Sequence, residues 1–139
     1  SMDDDIEEVK RNINQIIDCL PNNESMRLAA ATYGDRFEDG DHWFDWTPLT
    51  DDYDAIRSYV DGIYVRGGGD IPESVYDGIY EVLDKMNWQD CTAPDKIIVM
   101  GDAPPKTGRG TLYSLEQVLE KAESICPNTE FYPVIVMDL

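Results

Sequence analysis

Two aspartates in this sequence stand where the backbone has to turn, and carboxylates held at turns are suited to hard cations such as magnesium and calcium. The first lies in Arg66-Gly67-Gly68-Gly69-Asp70-Ile71-Pro72-Glu73. Three consecutive glycines open backbone dihedrals closed to other residues and let another group approach closely, while Pro72 pre-sets the first turn of a helix. The loop therefore aims Asp70, either at a metal or ligand or, as a plain cap, at the amides of the following helix. The second, Asp102, follows the run Lys96-Ile97-Ile98-Val99-Met100-Gly101 and precedes Ala103-Pro104-Pro105. An acid at the carboxyl end of an apolar parallel strand sits where open α/β sheets place their ligands. The two acids are 102 − 70 = 32 positions apart, but such turns gather on one edge of the sheet, so they can converge.

Other chemistries lack their residues. A dinucleotide site needs a glycine turn opening a helix free to take pyrophosphate, and here Asp70 and Glu73 occupy that place. No Gly-Lys-Ser/Thr ending is present for a phosphate loop. A phosphotransfer domain could use Asp102, yet an acidic pair after the first strand and a lysine after a later one are not evident. His42 is the only histidine and lies far in sequence from either acid, which leaves a hydrolase without a base. Cys19, Cys91 and Cys126 are widely spaced and odd in number, so the sequence indicates neither a disulfide framework nor a zinc-thiolate site.

The elements that must position these acids follow from periodicity. After Asp3-Asp4-Asp5, the residues Ile6, Val9, Ile13, Ile16, Ile17 and Leu20 recur at helical spacing. The acids complement the dipole of that helix, and the alternating oxygen ligands and glycine of a calcium loop are absent. Met26 to Tyr33 reads as a short buried strand, and His42-Trp43-Phe44-Asp45-Trp46 as a strand near a sheet edge, its aromatics packed under a helix. A helix is expected from Asp52 to Ile63, with Tyr53, Ile56, Tyr59, Val60 and Ile63 inward. Val75, Ile79, Val82, Leu83 and Met86 define the helix after the glycine loop. Lys96 to Met100 reads as a central parallel strand, Ser114 as the cap of a helix through Ile125, and Phe131 to Met137 as the last strand. Strands alternating with helices give an α/β fold with a doubly wound, mainly parallel sheet and helices on both faces.

The 139 residues fit a single domain, 1–139, able to bury about two-thirds of the surface that the unfolded chain exposes. Against 29 acidic residues stand 11 basic ones, a net charge of −18 that repels phosphate backbones and anionic membranes. Neither a nucleic-acid partner nor membrane insertion is expected, the latter because no apolar run approaches the roughly 20 residues of a span. The same charge favours cations, and solubility or life in high salt explains it equally well.

Taken together, Ser1-Met2 before an acidic helix start, the apolar strand ending at Tyr33, Gly67-Gly68-Gly69-Asp70-Ile71-Pro72-Glu73, and Ile97-Ile98-Val99-Met100-Gly101-Asp102 resemble a von Willebrand factor type A domain. The resemblance is to the branch, with hemicentin-like and bacterial members, that has a Gly-Gly-Gly-Asp-x-Pro-Glu loop. It implies a Rossmann-like sheet and a metal-ion-dependent adhesion site, in which three loops hold one divalent ion and an acidic side chain of a protein ligand completes its shell. By resemblance the metal residues are Ser1, matching the last hydroxyl of the Asp-x-Ser/Thr-x-Ser motif, Asp70, at a position that is threonine in many members, and Asp102, the acid after the fourth strand. Met2 matches the methionine that often follows the serine, and Glu73 would stand behind the ligands. Mg2+, or Mn2+ or Ca2+, is the implied ion, and an extracellular or cell-surface location is the implied setting.

Measured against the family pattern, the first strand and its Asp and first hydroxyl are missing before Ser1, and the sixth strand and last helix are missing after the strand ending at Met137. A sheet without its central strand exposes unpaired backbone groups. The expected remedies are a longer protein, a strand-completing partner or oligomer, or closure of the flanking strands with loss of the metal site. Asp138 could replace the missing acid only under a rearranged topology. The expected function is divalent-metal-dependent protein binding without catalysis; the alternatives are a metal-independent interaction or structural domain, and a metal-assisted hydrolase or phosphotransfer enzyme.

Overall fold

The computed structural model describes residues 5–20, 26–34, 36, 40–63, 74–86, 88, 96–101, 107, 111–126 and 130–135. Helix α1, Asp5–Cys19, follows its apolar spacing and buries Val9 and Ile17. Its partner is α2, Tyr53–Asp61, whose Tyr53, Ile56 and Val60 face the same core. Asp52 caps α2 by accepting a hydrogen bond from the Ala55 amide at 3.3 Å, which satisfies one of the donors a helix start leaves open. Tyr59, expected inward, is half-buried and donates its hydroxyl to Asp45 at 2.9 Å.

Strand β1, Ala31–Tyr33, pairs antiparallel with β2, Phe44–Trp46. The expected strand from Met26 shrinks to these three residues and an isolated Leu28 to Thr50 bridge. Between the two pairings lie two residues on the first side, Ala29 and Ala30, and three on the second, Thr47, Pro48 and Leu49. That is a bulge, and Pro48, which has no N–H to donate, lies within it. Thr47 closes it: its amide donates to the Ala30 carbonyl at 2.8 Å and its hydroxyl accepts from the Ala30 amide at 3.0 Å. His42 belongs to a single 3-10 turn, Gly40–His42, and not to the strand expected from it. Gly40 opens that turn at φ +59°, a conformation natural to glycine.

Helix α3, Val75–Lys85, lies across β1. Gly78 makes this approach possible, because a Cβ there would stand 3.1 Å from the Cβ of Tyr33. The other face of α3 presents Leu83 to Val118 and Ala122 of α4, Leu115–Ile125, and Ile97 packs against this second cluster. Ser114 caps α4 as expected, in a capping box: its hydroxyl accepts from the Gln117 amide at 3.2 Å and its amide donates to Gln117 Oε1 at 2.9 Å. Strand β3, Lys96–Gly101, runs parallel to β4, Glu130–Ile135, with α4 as the crossover between them. Val136 and Met137, expected at the end of the last strand, lie outside the described residues.

The α/β class therefore holds, but the expected doubly wound, mainly parallel sheet does not appear as one sheet. Among the described residues there are two separate pairs, β1-β2 antiparallel and β3-β4 parallel. The short return from β1 through the 3-10 turn compels antiparallel pairing, and no described strand links β1 to β3. Cysteine chemistry also departs from expectation. Cys126 is fully buried and disulfide-bonded, its partner lying outside the described residues, while Cys19 is exposed and free. Wide cysteine spacing concealed this, since the chain distance between two thiols does not report their distance in space.

Candidate functional site

The three residues expected to hold a metal, Ser1, Asp70 and Asp102, lie outside the described residues, as do Met2, Glu73 and Asp138. The segments that lead into the two loops are described. Ser74 follows Asp70 by four positions, and Gly101, the last residue of β3, immediately precedes Asp102. Among the described residues no group of three or more His, Cys, Asp or Glu side chains could hold a metal ion.

At the start of α3 the described residues form a polar cluster. Ser74 is fully buried; its amide donates to the Gly34 carbonyl at 3.1 Å and its hydroxyl accepts from the Arg36 amide at 3.0 Å. The beginning of α3 is thus tied to the carboxyl end of β1. One turn further on, Asp77 is 0% exposed, which for a carboxylate requires strong compensation. It receives the Thr111 hydroxyl at 2.7 Å, the Leu112 amide at 3.1 Å to each oxygen, and the Tyr113 amide at 3.0 Å. Arg36 Nε lies 3.0 Å from Asp77 Oδ2, but its N–H is not aligned for a hydrogen bond, so this contact is electrostatic.

Aromatic and charged neighbours enclose the arginine. Its guanidinium reaches Glu81 through Nη2 at 2.9 Å and lies over the Trp43 ring, 4.4 Å from the centroid, with the Tyr113 ring 5.9 Å away. Such stacking suits the flat, weakly hydrated guanidinium. Glu81 also pairs with Lys85. Tyr113 stacks on Tyr80 with centroids 3.6 Å apart and planes 7° from parallel. Burial, followed by the neighbouring Tyr80 and Glu81, pushes the Tyr113 phenol above its ordinary pKa, with Arg36 opposing. Lys121 is pushed up chiefly by its hydrogen bond to Asp84, 3.0 Å long.

With three donors and the Arg36 guanidinium around its two oxygens, the Asp77 carboxylate is engaged on both. It is therefore a holding group and not a free ligand or base. The cluster joins three stretches of chain: the turn after β1, the first two turns of α3 and the segment that enters α4. Sequence reading missed Arg36, Asp77 and Thr111. One signal existed, because Ser74, Asp77, Gly78 and Glu81 recur at three- and four-residue spacing and so share a helix face. Polar residues on one face ordinarily mean a solvated face, and only the packing shows that this one is covered.

A family model described as von Willebrand factor A domain matches residues 1–127. The chain belongs to that family. The match spans α1 to the end of α4, so every element of the polar cluster lies within it. Members of the family are protein-interaction modules more typically than enzymes, and membership carries an α/β fold. Neither the curated proteins nor the solved structures give a match.

Proposed function

We propose that this von Willebrand factor A domain binds a protein ligand through a divalent cation held by Ser1, Asp70 and Asp102. The observation that carries the reading is the family match over residues 1–127, which includes all three residues. Their donor set fits the group: one hydroxyl and two carboxylates are hard oxygen ligands, suited to Mg2+ or Mn2+. A bound ion would supply an open coordination position for a ligand carboxylate. It would also reverse the local field, letting an acidic partner approach a chain of net charge −18. The Gly-Gly-Gly-Asp branch, and a sheet completed by a strand from elsewhere in the protein or from a partner, belong to the same proposal. The disulfide at Cys126 supports an oxidising setting, outside the cytosol.

Titration with Mg2+ or Mn2+ tests the metal. An ion at about 100 times its Kd stabilises the folded state by about 2.7 kcal/mol, so the melting temperature of the wild type should rise while that of Asp70→Ala stays put. Equal stabilisation of both proteins would sink the metal site and leave the metal-independent interaction domain. Phosphatase activity abolished by Asp102→Asn would favour the enzyme instead.

A further inference from the structure

Three of the five large apolar side chains that stand exposed among the described residues fall within residues 112–119: Leu112 at 53%, Leu115 at 47% and Leu119 at 47%. Leu115 and Leu119 are four apart and share one side of α4, and Leu112 precedes them in the segment that enters the helix. Val118 and Ala122, on the neighbouring side, are the residues that α4 buries, so its apolar surface is wider than the core it covers. The other border of the leucines is acidic. Glu116 lies three residues before Leu119 and Glu123 four after it, with Glu120 between them in sequence. All three glutamates are exposed, and none has an ion-pair partner among the described residues.

We propose that this face of α4 docks a second protein through a basic amphipathic helix, independently of any cation. The leucines call for apolar side chains at three- and four-residue spacing, and the glutamates beside them for lysine or arginine. Other occupants fit the charge less well. A second copy in a two-fold contact would set the same glutamates against one another, and phosphate-bearing surfaces, lipid or nucleic acid, are repelled by them. The face is also held in shape before a partner arrives. Asp77 grips the Thr111 hydroxyl and the Leu112 and Tyr113 amides, so the Leu112 backbone is pinned while its side chain stands in solvent. The Ser114 to Gln117 capping box then fixes the first turn of α4. Ordering that a partner would otherwise have to bring about is already complete, which favours docking.

Fluorescence anisotropy in metal-free buffer tests this with a labelled synthetic peptide about 18 residues long, with leucine at three- and four-residue spacing and lysine elsewhere. The folded chain should bind it, and should bind a peptide of the same composition with its leucines scrambled about tenfold more weakly. Leu115→Asn with Leu119→Asn should lower affinity for the first peptide at least about tenfold. Glu116→Gln, Glu120→Gln and Glu123→Gln together should lower it about fivefold and flatten its salt dependence. Removing three exposed acids elsewhere, by Glu8→Gln, Asp51→Asn and Asp54→Asn, should leave it within about twofold of wild type. An equal loss in that control would reduce the binding to net charge and overturn the proposal, as would wild-type affinity in the leucine variant or no binding by the wild type. A dimer in sedimentation velocity that Leu115→Asn with Leu119→Asn dissociates would give the face to a second copy and overturn it too. Should the leucine variant not fold, the glutamate variant, which keeps the apolar contacts, decides.

Discussion

The two helix pairs of this domain use charge in opposite ways. Between α1 and α2 the interior is apolar, with Ile17, Tyr53, Ile56 and Val60, and the charged groups stand at the rim: Lys10 donates to the Asp61 carbonyl at 3.0 Å, and Arg57 meets Asp18 at 2.6 Å. Between α3 and the segment entering α4 the charge is inside, as Asp77 at 0% exposure with Arg36 beside it. Exposed pairs contribute little because water and salt screen them, and a buried pair is costly to form but costlier to break. The first arrangement glues two helices with little demand on geometry. The second fixes where particular chain segments go: the turn after β1, the start of α3 and the segment that enters α4. Gly78 against Tyr33 joins the two halves.

The largest effect should come from breaking the buried side. Asp77→Ala leaves Arg36 half-compensated and the Leu112 and Tyr113 amides without their acceptor, and should lower unfolding free energy by about 3–5 kcal/mol in urea titration. A loss below about 1 kcal/mol would remove the contrast between the halves. At the joint, Gly78→Ala gains helix propensity of about 1 kcal/mol but sets its methyl 3.1 Å from Tyr33 Cβ, an atom that cannot move without β1. Overpacking typically costs about 1–3 kcal/mol, so the expected sum is a net loss of about 1 kcal/mol; a rise in melting temperature would show that α3 and β1 can part freely.

A pH titration addresses the second half again. Tyr113 and Lys121 both have pKa values raised in the fold above their ordinary 10.0 and 10.5. A group of this kind contributes stability that is fully present below its unfolded pKa and lost as pH rises through its folded one. Stability should therefore decline above about pH 10, and Tyr113→Phe should decline less steeply; the contribution of Lys121, whose partner Asp84 is exposed to solvent, is small. Identical slopes for the two proteins would remove Tyr113 from the account. Smallest of all, Asp18→Ala at the rim of α1-α2 should cost about 1 kcal/mol or less, and less still at high salt.

Much of the local structure was legible in the sequence. Apolar spacing located the four described helices, Ser114 announced the cap of α4, and the run Ile97-Ile98-Val99 announced a parallel strand, because each of these depends on neighbours within a few residues. The strands of the first half were less legible. Pro48 and Thr47 shift the register by one residue, and Gly40 converts the approach to β2 into a 3-10 turn. Of the candidate site, the acids at positions 70 and 102 were expected at turns and lie outside the described residues, and the family match covers them.

The sequence by itself determined which apolar residues each helix turns inward and where α4 is capped, since those properties follow from periodicity and local side-chain chemistry. Tertiary structure alone decided that the stripe of Ser74, Asp77 and Gly78 is buried, that Arg36, 41 positions away (77 − 36 = 41), supplies the charge that balances it, and that Cys126 is bonded. The reason is physical. A carboxylate reads the same in sequence whether it meets water or three donors and a guanidinium, and only packing brings the segment Thr111 to Tyr113 and the distant Arg36 to the same two oxygens.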